Sequence, residues 1–424
     1  MTVAERKNHD KGVFIDVSAA AQRLSGVVNE TPLSLNTTYS ELFGAIVLLK
    51  REDLQTVRSY KIRGSYNKIS ALMERDTKLN HVVCASAGNH AQGVADTAKK
   101  RQVKATIFMP VTTPKQKIEQ VNMFGDQWVD VKLIGDTFDQ SNDAAMAFAQ
   151  RQQLRFIHPF DDPEVIAGQA TIGLEILKQH NEPIDYLFVP VGGGGLAAGM
   201  VSVFSQLSPE TKIIGVEPSG AASMGLAIER GRPTALAQLD RFVDGAAVCQ
   251  VGQHSFELCQ SGLTDVLTVD DGLVCQTILN LYNKDAIVVE PAGALSLAGL
   301  QQYQEQIKGK HVVCILSGSN NDITRIEEIR EKALLYHGLK HYFLVRFPQR
   351  AGALKSFVAD ILGANDDITY FQYQKKHNRE SGLAVVGIEL KSESDFEPLM
   401  DKMKAQGFFS DYLNHQPELF SLLM

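Results

Sequence analysis

Short, unbroken runs of Val, Ile and Leu recur through the first three quarters of the chain, separated by segments with helical spacing. Strands that face water on one side alternate apolar with polar residues. Strands covered on both faces need not, and continuous apolar runs of this kind point to parallel sheets sandwiched between helices. Ala45–Leu49, His81–Cys84, Ala105–Met109, Trp128–Ile134, Tyr186–Val191, Lys212–Val216, Ala286–Val289 and His311–Leu316 read as strands. Asn89–Arg101, Thr137–Gln153, Glu164–Gln179 and Ala292–Glu305 read as helices. Such alternation predicts an α/β fold. About 335 residues exceed what one core usually serves, so two α/β lobes with a cleft between them are expected.

The pattern changes near Gly338. Residues 341–424 hold 12 of the 32 Phe, Trp and Tyr but only five of the 33 glycines. His341–Phe347, Ile368–Gln374, Leu383–Leu390 and Phe408–Leu413 read as strands. Leu354, Phe357, Val358, Ile361 and Leu362 form one helical stripe, and Phe396, Leu399, Met400 and Met403 form another. The order β-α-β-β-α-β is the ferredoxin-like unit. No nucleophile or acid–base cluster stands out there, so a binding or regulatory module fits better than a second catalytic site. The expected domains are therefore residues 1–337 and 338–424.

Charge excludes some functions. Forty-two Lys and Arg against 49 Asp and Glu give −7, which argues against bulk nucleic-acid binding. No window approaches the roughly 18 uninterrupted apolar residues of a membrane span. Met1–Gly12 is polar, with no signal-peptide core. Cys84, Cys249, Cys259, Cys275 and Cys314 show no CxxC spacing. Four of them sit in apolar or helix-like settings, which reads as buried thiols in a reducing, cytosolic compartment.

Four motifs carry chemistry. After the apolar run at Tyr186–Val191 come Gly192, Gly193, Gly194 and Gly195, then Leu196, where a strand should turn into a helix. Glycines let a ligand approach the backbone, and a helix N-terminus attracts a phosphate. A P-loop would need Lys-Ser/Thr next, and Leu-Ala-Ala follows. A dinucleotide fingerprint would need GxGxxG with an acidic residue about 20 positions on, a role only Glu217 could fill. Arg58-Ser59-Tyr60-Lys61-Ile62-Arg63-Gly64 is either a basic surface turn or the site of a covalent lysine catalyst. Ser86, Ala87, Gly88, Asn89 and His90 open a helix after a strand, where they either cap it or cradle a carboxylate. Ser317, in Ser-Gly-Ser-Asn at the end of His311–Leu316, either caps a helix or offers its hydroxyl to a ligand. Three of these motifs fall at C-terminal strand ends, where open parallel sheets bind ligands. No HExxH or GxSxG pattern is present.

Together with Glu30-Thr31-Pro32-Leu33, Lys50-Arg51-Glu52-Asp53-Leu54-Gln55 and Glu290-Pro291-Ala292-Gly293-Ala294, these motifs resemble the threonine dehydratases, fold-type II pyridoxal phosphate enzymes of tryptophan synthase β-like architecture. The tail is similar to that family's ACT-like regulatory domain, present here as one unit. The resemblance implies pyridoxal 5'-phosphate as cofactor and Lys61 as its Schiff-base lysine. It implies Asn89 on the phenolic oxygen, Gly192 through Leu196 on the phosphate and Ser317 facing the pyridine nitrogen. Ser86, Ala87, Gly88, Asn89 and His90 would hold the substrate carboxylate.

The implied reaction is β-elimination from L-threonine, with L-serine as a second substrate, at the first step of isoleucine synthesis. Isoleucine would act as allosteric effector and the assembly would be a homotetramer. A neutral hydroxyl opposite the pyridine nitrogen should limit carbanion delocalisation and favour prompt elimination. Ser223 stands where related serine/threonine dehydratases and serine racemases carry an acidic metal ligand, so no divalent-metal site is expected beside Glu217. The competing readings are a serine/threonine dehydratase of catabolic or broader role, and an amino-acid sensor on a dead scaffold.

Overall fold

The computed structural model describes residues 15–374 and 380–420. The polar N-terminus and the core of the polar loop at 375–379 lie outside them. Contacts divide the chain into two compact units, residues 1–322 and 323–424.

The first unit contains two sheets. One has six strands, in the order Leu33–Leu35, Ile46–Arg51, His311–Leu316, Tyr186–Pro190, Lys212–Pro218 and Asp265–Val269. Only the Leu33–Leu35 pairing is antiparallel. The other has four parallel strands, Val129–Leu133, Lys104–Met109, His81–Ala85 and Arg155–Phe156. Every residue of Tyr186–Pro190 is buried, as a strand covered on both faces requires.

One strand expectation is corrected. Ala286–Val289 pairs with no strand among the described residues, because Ala286 takes a left-handed conformation (φ 55°) that ends the helix Asp271–Asp285. The apolar stretch then runs extended to Glu290, the residue before the helix Pro291–Ala298. Asp265–Val269 was not expected as a strand. It lies at the sheet edge and its surface alternates between exposed and buried, so it lacks the apolar run of its neighbours.

Two helices fix the position of Lys61. It opens the helix Lys61–Arg75, which crosses the helix Pro163–Gln179 at very close range. A Cβ on Gly168 would lie 2.5 Å from the Arg63 carbonyl oxygen, and one on Gly64 would lie 2.9 Å from the Val165 carbonyl oxygen. Only glycine permits that crossing. The same crossing encloses four charges. Arg63, fully buried, is bidentate to Glu52 (2.8 and 2.8 Å) and also to Glu175 (2.6 and 2.9 Å). Lys50 reaches Glu175 at 2.6 Å and the Thr31 carbonyl at 2.6 Å. Two cations and two carboxylates balance. They tie the strand Ile46–Arg51 to both helices.

The second unit is an antiparallel sheet in the order Asp367–Tyr373, Ser381–Glu389, Lys340–Pro348 and Phe409–Tyr412. Ala353–Ser356, continued by one wide turn at Phe357–Ile361, and Phe396–Ala405 supply its two helices. The core joins Phe343, Val345 and Phe347 to Phe357, Ile361, Leu399 and Met403. This is the expected ferredoxin-like order. The helix Ile326–Tyr336, placed before the boundary on sequence grounds, belongs to this unit. Its Glu331 accepts a hydrogen bond from the Tyr342 hydroxyl.

Removing the fully buried Glu52 charge leaves Arg63 and Lys50 to share Glu175 in low dielectric, at a cost of about 3–5 kcal/mol. Glu52→Gln should therefore lower the free energy of urea unfolding by about that much. A change under about 1 kcal/mol, the scale of a surface pair, would contradict this account of the crossing.

Candidate active site

The loop that delivers Lys61 is built on strain and cross-bridging. Arg58 holds a left-handed φ of 59°. Its carbonyl accepts from the Ser319 N–H at 2.9 Å, Ser59 bridges to Gly318, and the Tyr60 N–H donates to the Ser317 carbonyl at 3.2 Å. Lys61 and Ser317 are thereby brought together from opposite ends of the unit. The Lys61 Nζ donates to the Pro159 carbonyl at 2.9 Å. Burial pushes its pKa down to about 8, while Glu290 pulls the other way. An ordinary lysine near 10.4 is almost wholly protonated at neutral pH. This one presents free amine far more readily.

The tetraglycine segment leaves the strand Tyr186–Pro190 and enters the helix Gly195–Leu207. Gly194 has φ 91° and precedes the helix with no side-chain cap. The first N–H groups of that helix have no carbonyl ahead of them. The glycines are also packed from below. A Cβ on Gly193 would sit 2.4 Å from the Phe160 ring, and one on Gly195 would sit 2.8 Å from the Phe160 carbonyl oxygen. One on Gly194 would sit 2.8 Å from Ser255 Cβ, and the Ser255 hydroxyl is buried without a protein partner. Leu196 is buried in the core and anchors the helix start.

Asn89 begins the helix Asn89–Arg101, whose N-cap is Gly88 with no side-chain cap. Its amide does not serve the capping alternative. Nδ2 donates to Glu290 Oε1 at 2.6 Å, and Oδ1 accepts from Asn320 Nδ2 at 2.7 Å. Ser86 Oγ accepts from the Gly88 N–H at 3.2 Å, holding the turn that Ala87 occupies. The His90 ring is satisfied by the Ile157 carbonyl at 2.9 Å, and burial lowers its pKa to about 3. It is neutral, and this segment offers a ligand backbone N–H groups rather than a charged imidazole. Ser317 Oγ donates to the Ala292 carbonyl at 3.2 Å and caps no helix; its hydroxyl hydrogen can rotate from that carbonyl to a ligand acceptor.

Sequence reasoning missed several neighbours. Phe160 supports the glycine loop, and His158 accepts N–H bonds from Phe160 and Asp161 through Nδ1, at 3.3 and 2.7 Å. Burial lowers the His158 pKa to about 4. Asp161 in turn accepts from the N–H groups of Gln253 and Ser255 at 2.9 and 3.1 Å. His158-Pro159-Phe160-Asp161 has no glycine run or periodicity to betray it. Glu290 and Asn320 lie inside the quoted motifs but carried no role. Glu217 accepts the N–H groups of Met224 and Gly225 at 2.7 and 2.9 Å, and burial raises its pKa to about 7. Among the described residues no group of three His, Cys, Asp or Glu could hold a metal ion.

A buried lysine of lowered pKa, an uncapped glycine-rich helix start and an orphaned serine hydroxyl beside it fit an aldehyde cofactor bearing a phosphate. Residues 24–318 match the family described as pyridoxal-phosphate dependent enzyme, the class that this fold and site define. Residues 331–423 match the C-terminal regulatory domain of threonine dehydratase. The chain is 50% identical over 409 residues, covering 96% of it and 98% of the relative, to an L-threonine dehydratase biosynthetic IlvA of Halalkalibacterium halodurans. It is 49% identical over 405 residues to that of Bacillus subtilis, covering 96% of each. Threonine deaminase isoform 2 from Solanum lycopersicum, in its processed form, superposes with a TM-score of 0.70 at 40% identity, covering 76% of this chain and 96% of that one. The chain belongs to the biosynthetic threonine dehydratase family.

Gly193→Ala should drive Phe160 out of place and narrow the loop. Overpacking of this kind costs about 1–3 kcal/mol, so cofactor affinity should fall about tenfold or more. Equilibrium dialysis against pyridoxal phosphate checks this, and unchanged affinity would show that the glycine is not needed there.

Proposed function

We propose that this chain is a pyridoxal-phosphate-dependent L-threonine ammonia-lyase, forming 2-oxobutanoate and ammonia by β-elimination at the first step of isoleucine synthesis. The observation that carries the reading is the Lys61 amine. It is buried, its pKa is lowered to about 8, and its Nζ donates to the carbonyl of Pro159, next to the Phe160 that packs under the glycine loop, while the preceding Tyr60 N–H is bonded to the Ser317 carbonyl. The close likeness to enzymes named biosynthetic threonine dehydratase supplies the substrate.

Pyridoxal phosphate, when bound, supplies the electron sink for the pair released as the Cα–H bond breaks. The residues of this chain do the rest. The N–H groups at the start of Gly195–Leu207, with the Ser255 hydroxyl nearby, hold the phosphate. Asn89 retains one amide hydrogen beyond the one given to Glu290 and would offer it to the phenolic oxygen. Ser317 offers a neutral hydroxyl to the ring nitrogen. Backbone groups of Ser86 through His90 bind the substrate carboxylate at a helix start. The Lys61 amine takes the Cα proton, which its lowered pKa makes feasible near neutrality. The threonine Cβ–O bond then breaks, and the hydroxyl leaves as water with the proton that Lys61 took from Cα. The enamine formed tautomerises, and hydrolysis of the resulting imine releases ammonia. His90 and His158, held neutral, add no competing cation beside Lys61.

The C-terminal unit serves as an amino-acid sensor, with isoleucine as inhibitor. A dedicated regulatory domain favours this biosynthetic role over a catabolic dehydratase. L-Serine is a second substrate. The working form is a homotetramer in the cytoplasm. No helix among the described residues is long and apolar enough to cross a membrane.

Two measurements test the proposal. Lys61→Ala should abolish 2-oxobutanoate formation from threonine, and full activity in that variant would overturn the catalytic assignment. Isoleucine should inhibit the intact chain but not a chain ending at Asp322. Equal responses would exclude the C-terminal unit as sensor.

A further inference from the structure

Among the described residues Glu290 is the carboxylate hydrogen-bonded to Asn89, and the reaction as described gives it no task. We propose that Glu290 is a positioning residue for the elimination: its ionised carboxylate fixes which way the Asn89 amide faces, and so presents the remaining Nδ2 hydrogen to the cofactor. This rests on the reading of Lys61 and Asn89 given above.

The surroundings are built for the carboxylate. Glu290 is 5% exposed and stands just before the helix Pro291–Ala298, yet its side chain does not cap that helix. It turns instead to Asn89. A Cβ on Gly318 would lie 2.6 Å from Glu290 Oε1, and one on Gly245 would lie 3.3 Å from it, so two glycines make room for the carboxylate. A directed chain of donors ends there. Asn320 Nδ2 donates to the Val57 carbonyl (2.9 Å) and to Asn89 Oδ1 (2.7 Å), and Asn89 Nδ2 donates to Glu290 (2.6 Å). A carboxylate can only accept, and a carboxylic acid can also donate. Asn320, anchored on the Val57 carbonyl, holds the amide from one end, and ionised Glu290 holds it from the other; protonated Glu290 withdraws the second restraint and leaves a turned-over amide opposed by Asn320 alone. A turned-over Asn89 would aim oxygen, not N–H, at the cofactor's phenolic oxygen.

The groups facing Glu290 come from several elements. They are Lys61 and the preceding Tyr60, Asn89, Lys117 on the helix Lys115–Gly125, Asp244 from the loop before Gly245, and the Asn320 N–H. Burial, then Asp244, raises the Glu290 pKa to about 7, while Asn89, Lys117 and the Asn320 N–H oppose this. The carboxylate is ionised above that pH and protonates below it, so positioning is lost on the acid side. Glu290 also supports the Lys61 ammonium against desolvation.

The experiment compares holoenzyme of the parent, Glu290→Gln, Asn89→Ala and the double variant. It measures kcat and KM for threonine against pH, and the absorbance of the bound cofactor against pH. In E290Q the acid limb should move down by about one pH unit or more, with a displaced cofactor absorbance. In the N89A background the same change should have little further effect on absorbance, because the two residues act as one unit. An acid limb and absorbance unchanged by E290Q, or effects that add in full in the double variant, would overturn the proposal. Glu290→Asp covers the case in which E290Q does not fold. Keeping the charge but retracting it, E290D should retain the acid limb and shift the absorbance, and an unshifted absorbance would count against positioning. Lys61→Ala separates the two levels. If K61A keeps full activity, the site assignment fails; if K61A is inactive and E290Q behaves as the parent, only the role of Glu290 fails.

Discussion

The burial of one ammonium group is the constraint on which the rest depends. Desolvation holds the Lys61 pKa near 8, and its one direct hydrogen bond is to a backbone carbonyl, not a carboxylate. A salt bridge at that point would hold the proton on the amine. The structure instead places its strong ion pairs two residues further along the same helix, where Arg63 is clamped between Glu52 and Glu175. The helix is thus anchored by charge, and its first residue is left free to exchange a proton. The glycine-lined crossing with Pro163–Gln179 brings that anchor to the chain that continues from Pro159 and Phe160.

From this point the site assembles across two sheets. The four-stranded sheet sends out the Ser86–Asn89 turn, and the six-stranded sheet sends out the tetraglycine loop and Ser317. All leave from C-terminal strand ends, as open parallel sheets require. The link between the sheets is polar and direct, running from Asn89 to Asn320 and Glu290. In a chain of net charge −7, the uncapped start of Gly195–Leu207 still offers an anion backbone dipoles.

Much of this was legible in the residues, for physical reasons. Strands such as His311–Leu316, buried on both faces, must be apolar throughout, so they announce themselves. Lys61 and the four glycines lie in compact motifs whose chemistry is local. What escaped was either amphipathic or assembled through space. Asp265–Val269 is an edge strand, and Ala286–Val289 is apolar yet unpaired because one left-handed residue turns it away. Phe160 and Glu290 gain their roles only where remote segments meet, and no spacing rule encodes such a meeting. The aromatic shift near Gly338 marked the second core, but not the helix Ile326–Tyr336 that falls in the same unit.

The most direct test of the central claim is where the cofactor becomes attached. Borohydride reduction of the holoenzyme, followed by peptide mapping, should place the added pyridoxyl mass on the peptide containing Lys61 and on no other lysine. A pyridoxyl mass on a different lysine, or none on the reduced chain, would contradict the account.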